Sequence, residues 1–253
     1  MSEQGERMAR AAESGERMSE QGEQRLVYLC GIAGHPELSP AMRAIESDGW
    51  EIVVPSVPGF DGKPGFLAPD DYLGWLTTFW DALDATGALP APVIGASVGG
   101  MIAADLAALR PEAVTALGLI APFGIGDGDS PGFDLYATPA NERMGHLFAK
   151  DVPDAFANRF AERGEEEAPV ARYLCDIAGA SLIWPLGDRG VANRLHRISC
   201  PKVVVWGDQD ELLPPGRIQR WGGGEVIAGA GHLAEWDAPG EVARALRILL
   251  AQV

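Results

Sequence analysis

The chain has 253 residues, 47% of them hydrophobic and 22% charged, an ordinary globular mix long enough for one large domain or a domain carrying an insertion. Its formal net charge of −16 argues against a nucleic-acid partner or an anionic membrane surface, since either calls for a basic patch. Cys30, Cys175 and Cys200 are too scattered for a disulfide frame or a C-x-x-C metal spacing, and no apolar run approaches the ~18 residues of a membrane span.

Residues 1–24 are polar and repeat themselves: Ser2-Glu3-Gln4-Gly5-Glu6-Arg7-Met8 echoes in the stretch from Gly15 to Glu23. Such a segment has too little apolar surface to offset the entropy of ordering, so a disordered or loosely helical tail is expected. It also lacks the apolar core of a signal peptide, which places the protein in the cytoplasm as an expectation.

From Arg25 onward strand, loop and helix alternate. Residues 26–29 read as a buried strand. Ser39-Pro40 reads as a helix cap and first helical residue, and Gly49 as that helix's end. Residues 51–54 form the next strand. Pro69-Asp70-Asp71 opens a helix whose Tyr72, Leu76, Phe79, Trp80 and Leu83 recur at helical spacing and belong to the core. A strand at 92–94, a helix at 98–109 and a strand at 114–120 follow.

After Pro122 the alternation stops, and residues 124–193 contain helical patterns near 141–150, 152–163 and 168–183 but no convincing strand. It resumes with strands at 202–206 and 225–227 and a final helix at 240–250. The fold class is therefore α/β: a mostly parallel sheet of about six strands flanked by helices. A core of 25–122 and 194–253 would carry a helical insertion at 123–193.

The motif with most chemical content is Gly95-Ala96-Ser97-Val98-Gly99, straight after the 92–94 strand. A strand turning abruptly into a helix needs small residues on either side of the apex. The apex side chain is exposed at a helix N-terminus, where developing negative charge is favoured. Gly95, Ser97 and Gly100 also approximate a dinucleotide loop. That reading needs an acid at the end of the next strand, where Ala121-Pro122 stands instead.

A serine hydroxyl needs a base, and the base an orienting acid. Of the four histidines, His35 follows the first strand, His146 lies in the insertion, and His196 sits between arginines in an exposed stretch. His232, in Gly229-Ala230-Gly231-His232, follows the last strand. Ligands bind beyond the carboxyl ends of the strands in an open α/β sheet. There Ser97, the Gly207-Asp208-Gln209-Asp210 loop and His232 arrive in the chain order Ser, Asp, His.

These residues resemble the α/β-hydrolase superfamily, in its form with a helical cap. The likeness runs from about Leu26 to the C-terminus. It includes Cys30-Gly31 where His-Gly is usual, Val57-Pro58-Gly59-Phe60, the Ser97 elbow, the Cys200-to-Asp210 segment closed by Leu213-Pro214, and Gly231-His232 with Asp237-Ala238-Pro239. The resemblance implies Asp210 as the triad acid, with Asp208 the alternative and Glu211 a poorer one, and Asp237 as structural. It implies an oxyanion hole made by the backbone N–H groups of Ile32 and Val98. Cys30 reads as a small apolar filler and not a nucleophile.

The β-hairpin usual before the first strand is not seen in the sequence, so one sheet edge is expected to be bare or covered by something else, which leaves a homodimer open. A serine at the elbow excludes the subclasses that use an aspartate nucleophile. No metal site and no cofactor are expected, and the partner is a small-molecule substrate. Phe123, Met144, Leu147, Phe148 and Trp184 are the expected pocket lining. The activity implied is hydrolysis of a small hydrophobic carboxylic ester. Carbon–carbon bond hydrolysis of a vinylogous diketone is the alternative, and a non-catalytic binding protein of the same fold is the third reading.

Overall fold

A computed structural model describes residues 24–253 apart from 33, 35–37, 127 and 129–131. The expected tail, Gln24 excepted, and the position of His35 lie outside the described residues. Six parallel strands form one sheet: β1 (Arg25–Leu29), β2 (Glu51–Val53), β3 (Ala91–Ala96), β4 (Val114–Ile120), β5 (Lys202–Gly207) and β6 (Glu225–Ile227), in the order β2-β1-β3-β4-β5-β6. Every residue of the central β3 is buried, which is why that strand reads as an unbroken run of apolar and small residues with no alternation. It is longer than the expected 92–94, because ladder pairing with β1 and β4 recruits small flanking residues that carry no strand signal of their own.

On one face lie α1 (Pro40–Ser47) and the C-terminal α7 (Pro239–Leu250), whose Met42, Ile45, Val242 and Leu246 pack with Leu26 and Ile94 of the sheet. On the other lie α2 (Tyr72–Asp84) and α3 (Val98–Leu109), with Trp75, Phe79, Met101 and Ile102 against Val27 and Val93. Burying each such side chain is worth about 1.5–3 kcal/mol. The expected Ser39 cap is made, its Oγ accepting from Met42 N (3.3 Å), and in the Pro69-Asp70-Asp71 opening it is Asp71 that caps, its Oδ1 accepting from Gly74 N (2.8 Å).

No strand occurs among the described residues between β4 and β5, but the helices there differ from expectation. The stretch at 141–150 forms only a 3₁₀ segment, Arg143–Leu147, and 152–163 breaks into the short α4 (Asp154–Ala157) and a 3₁₀ turn, Ala161–Arg163. The cause is tertiary. Phe160 adopts a left-handed φ of 69° to bury its ring against Ala168, Ala171 and Cys175, and that geometry ends one turn before another begins. The third helix, α5 (Gly164–Ile183), starts four residues earlier than expected. Glu165, Glu166 and Glu167 fill its first turn, where the helix dipole favours them.

The chain returning to β5 is pinned to α3 by a bidentate pair. Arg194 Nε and Nη2 donate to the fully buried Asp105 at 2.6 and 2.8 Å, and Tyr72 Oη donates to the same carboxylate at 2.7 Å. This fixes the helix that starts at Ser97. Among the described residues no helix is long and apolar enough to cross a membrane.

Candidate active site

Ser97 joins β3 to α3 with φ 56° and ψ −119°, a conformation that costs a non-glycine residue about 1–3 kcal/mol. The flanking backbone holds it there. Ser97 N donates to Ile120 O (2.8 Å), while Ser97 O accepts from Phe123 N (3.1 Å) and Met101 N (3.2 Å). A Cβ at Gly95 would meet the Gly99 carbonyl, and one at Gly99 would meet the Leu29 carbonyl. The elbow glycines are therefore demanded by close backbone approach.

Three loops converge on this apex. His232 Nε2 lies 2.8 Å from Ser97 Oγ, and His232 Nδ1 lies 2.9 Å from Asp210 Oδ2. The other Asp210 oxygen accepts from Leu212 N (2.9 Å) and Leu213 N (2.8 Å), which fixes the carboxylate's orientation. A carboxylate at Nδ1 selects the tautomer with the proton there, leaving Nε2 to accept from the serine hydroxyl. Ser97 and His232 are fully buried and Asp210 is 5% exposed. The Phe123 ring stands edge-on to the imidazole, centroids 5.6 Å apart.

The other acids and histidines lie elsewhere. Asp208 is exposed and accepts from Gly229 N (2.7 Å); Glu211 accepts from His146 Nδ1 (2.7 Å), whose ring stacks on Phe133. His196 is exposed on a 3₁₀ turn, Leu195–Arg197.

Gly31 abuts the apex: a Cβ there would lie 3.3 Å from Ser97 Cβ. The next backbone N–H, that of Ile32, and the first N–H of α3, that of Val98, have no acceptor among the described residues. The inserted segment is stapled to the histidine loop. Leu147 O accepts from Leu233 N (3.0 Å), and one oxygen of Asp237 accepts from both Ala149 N and Gly231 N, each at 2.8 Å. Asp237 thus ties the insertion and the residue before His232 to one carboxylate.

The expected pocket residues divide. Met144 and Leu147 line a cavity of about 380 Å³ that also touches Ile32. Phe123 lines a second, of about 360 Å³, with Met101 and Leu213. Phe148 instead packs edge-on against Phe156, and its backbone sits against Gly231. Trp184 is corrected outright: its ring is on the surface, 56% exposed, with Nε1 donating to Asp134. Its position just after α5 turns it outward.

Sequence reading missed two features. Arg143, Arg159 and Arg172 line the first cavity with only Asp176 as a carboxylate, and burial lowers the Arg159 pKa and raises that of Asp176. The only local signal is Arg172 and Asp176 one turn apart on α5. The second is Glu235, on the short helix α6 (Ala234–Asp237) just beyond His232. It is 1% exposed, and burial pushes its pKa up to about 7 from 4.5.

The folded state therefore holds the Glu235 proton that the unfolded chain has released between pH ~4.5 and ~7, so stability falls as pH rises across that window. Glu235→Gln is expected to leave unfolding unchanged near pH 4 and to stabilise the protein by up to about 3 kcal/mol at pH 8. Urea titrations at the two pH values measure this. Equal effects at both would show that the carboxyl is not protonated preferentially in the fold.

Comparison with known proteins shows the family and the fold. The model of the alpha/beta hydrolase family matches residues 26–245. The chain is 27% identical over 216 residues to 2-hydroxy-6-oxo-6-phenylhexa-2,4-dienoate hydrolase of Comamonas testosteroni, covering 78% of this chain and 75% of that one. It is 27% identical over 177 residues to pimeloyl-[acyl-carrier protein] methyl ester esterase of Neisseria meningitidis, covering 66% and 67%. A bacterial membrane phospholipase A superimposes with a TM-score of 0.74 at 21% identity, over 92% of this chain and 80% of that one. With the Ser97 elbow at the centre of a six-stranded parallel sheet, the chain belongs to the alpha/beta hydrolase family, and it is a hydrolase.

Proposed function

We propose that this chain is a serine hydrolase that cleaves a small carboxylic ester through an acyl-enzyme, with Ser97, His232 and Asp210 as its triad. The observation that carries the reading is the unbroken relay from Ser97 Oγ to His232 Nε2 (2.8 Å) and from Nδ1 to Asp210 (2.9 Å). As Oγ attacks the carbonyl carbon its proton passes to Nε2, and Asp210 supports the imidazolium that forms. The oxyanion is held by the N–H groups of Ile32 and Val98, each donor worth ~10²–10³ in turnover.

Collapse of the tetrahedral adduct breaks the bond to the alcohol, which takes the proton from Nε2. Water then repeats the sequence on the acyl-enzyme and frees the acid. Segment 123–193 acts as a cap. Ser97 is fully buried, and in this reading substrate enters as the Asp237 contacts to the insertion loosen.

A fluorophosphonate probe tests the assignment: Ser97 is the expected adduct site, with labelling lost in Ser97→Ala and His232→Ala. Folded wild-type protein that takes no adduct at Ser97 would refute it.

One observation favours the second reading, carbon–carbon hydrolysis of a vinylogous diketone. The cavity touching Ile32 carries three arginines against one aspartate, which suits a substrate bearing a carboxylate better than a purely apolar ester. The dienoate named for the Comamonas relative is such a compound. Arg159→Leu is expected to raise KM for a carboxylate-bearing dienol diketone at least ~10-fold while changing KM for a neutral nitrophenyl ester less than ~3-fold. Equal effects on both substrates would remove the arginines from substrate recognition.

A further inference from the structure

The helix α5 is apolar on two sides. Its inner side, with Ala171, Cys175, Ala178 and Leu182, is buried in the protein. On the outer side Val170, Tyr173, Ile177, Ala180 and Trp184 follow one another in alternating steps of three and four. Trp184 N still donates to Ala180 O (2.8 Å), so the tryptophan keeps its place in the helical row. The large members are exposed, from 38% at Ile177 to 65% at Tyr173. A surface helix ordinarily turns polar groups outward, and one that is apolar all round is a buried helix.

The spacing says what would bury it. A repeat of three and four keeps one seam aligned along a second helix, a regularity that a flat lipid surface does not require. The row is also symmetric about Ile177. A copy laid antiparallel and centred there sets Val170 opposite Trp184 and Tyr173 opposite Ala180, a large side chain beside a smaller one at each level. Charge selects the same direction. Glu165, Glu166 and Glu167 are exposed in the first turn of α5. Parallel pairing would crowd the two triplets together, whereas antiparallel pairing parts them by roughly 30 Å, well beyond the ~8 Å screening length. The end they approach carries one charge of each sign: Arg189, which donates to the Ile183 (3.0 Å) and Pro185 (3.2 Å) carbonyls, and Asp188, which accepts from Gly190 N (2.7 Å).

The area is of the right order. Val170, Tyr173, Ile177 and Trp184 leave roughly 400 Å² of side chain uncovered, about half of the roughly 800 Å² that each partner of a stable dimer buries. A Cβ at Gly59 would meet both the Phe66 ring and Ala178, so the loop carrying the exposed Leu67 lies against α5 and adds to the face.

We propose that the outer row of α5 is a homodimer interface, on which a second copy of this chain packs its own α5 antiparallel with Ile177 at the two-fold axis. The interface lies on the insertion and not on an edge of the sheet. The same helix presents Arg172 and Asp176 to the cavity touching Ile32, so the partner helix backs one wall of that cavity.

Sedimentation velocity on the full chain is the test. At about 50 µM the wild type is expected to run at twice 26.8 kDa. Ile177→Glu, which sets two carboxylates face to face at the axis, and Tyr173→Ala should each weaken association at least ~10-fold, with circular dichroism unchanged. Ile177→Cys should couple to its own copy through a short bis-maleimide while Glu166→Cys does not, wild type serving as the control for the three native cysteines. Wild type that is monomeric at that concentration, or a dimer that survives Ile177→Glu, would overturn the proposal. Monomeric wild type that pellets with phosphatidylcholine vesicles would overturn it too, and would assign the row to a lipid surface. Coupling through Glu166→Cys would make the pairing parallel and refute the arrangement.

Discussion

Ser97→Ala is expected to lower turnover of a short nitrophenyl ester ~10⁵-fold or more, while the protein stays folded. The alcohol oxygen is the only atom removed that meets the substrate, and without it no acyl-enzyme forms. Residual rate would come from the N–H groups of Ile32 and Val98 and from binding alone, so adding His232→Ala to the same chain should cost little more. The measurement is kcat by burst and steady-state kinetics with circular dichroism on each variant. Alanine at 97 does not relieve the positive φ, because it keeps a Cβ, so melting temperature should change little. A residual activity of a tenth or more would assign the nucleophile to another group.

Asp210→Asn is the second large effect, expected at ~10⁴-fold in kcat with the fold intact. The derivation is geometric. Asp210 Oδ1 accepts from two backbone N–H groups, those of Leu212 and Leu213, so an asparagine must place its carbonyl oxygen there. Its NH₂ then faces His232 Nδ1 and donates to it. That forces the imidazole proton onto Nε2, which faces Ser97 Oγ at 2.8 Å and now cannot accept the serine proton. Asp208→Asn and Glu211→Gln serve as controls, since both carboxylates are engaged elsewhere, and each should stay within ~3-fold of wild type. A comparable loss in Asp208→Asn would reassign the acid.

Much of the core was readable from local chemistry. Buried parallel strands are short apolar runs, and α1 and α2 were announced by Ser39-Pro40 and by Pro69-Asp70-Asp71 with helical spacing, whereas the short α6 carried no such signal. The insertion was less legible. Its turns are set by where Phe160, Phe148 and Phe156 find partners on other elements, and a left-handed Phe160 leaves no mark in the residues beside it. The same limit applied to the pocket. Met144 and Leu147 line a cavity, but Trp184 faces solvent, because the side on which a loop residue emerges depends on how the preceding helix docks.

The sequence by itself determined the sheet, the elbow and the order Ser97, Asp210, His232, because each depends on neighbours along the chain: glycines flanking a turn, a strand before a loop. It named three acids and four histidines without choosing among them by contact. Only the tertiary structure decided that Asp210 turns inward while Asp208 and Glu211 bond elsewhere, that the apex serine is fully buried, and that three arginines and a buried glutamate stand near the site. Those outcomes depend on distances between residues far apart in the chain, such as the 2.8 Å between Ser97 and His232 across 135 positions, which burial and hydrogen bonding fix only when all six strands are in register.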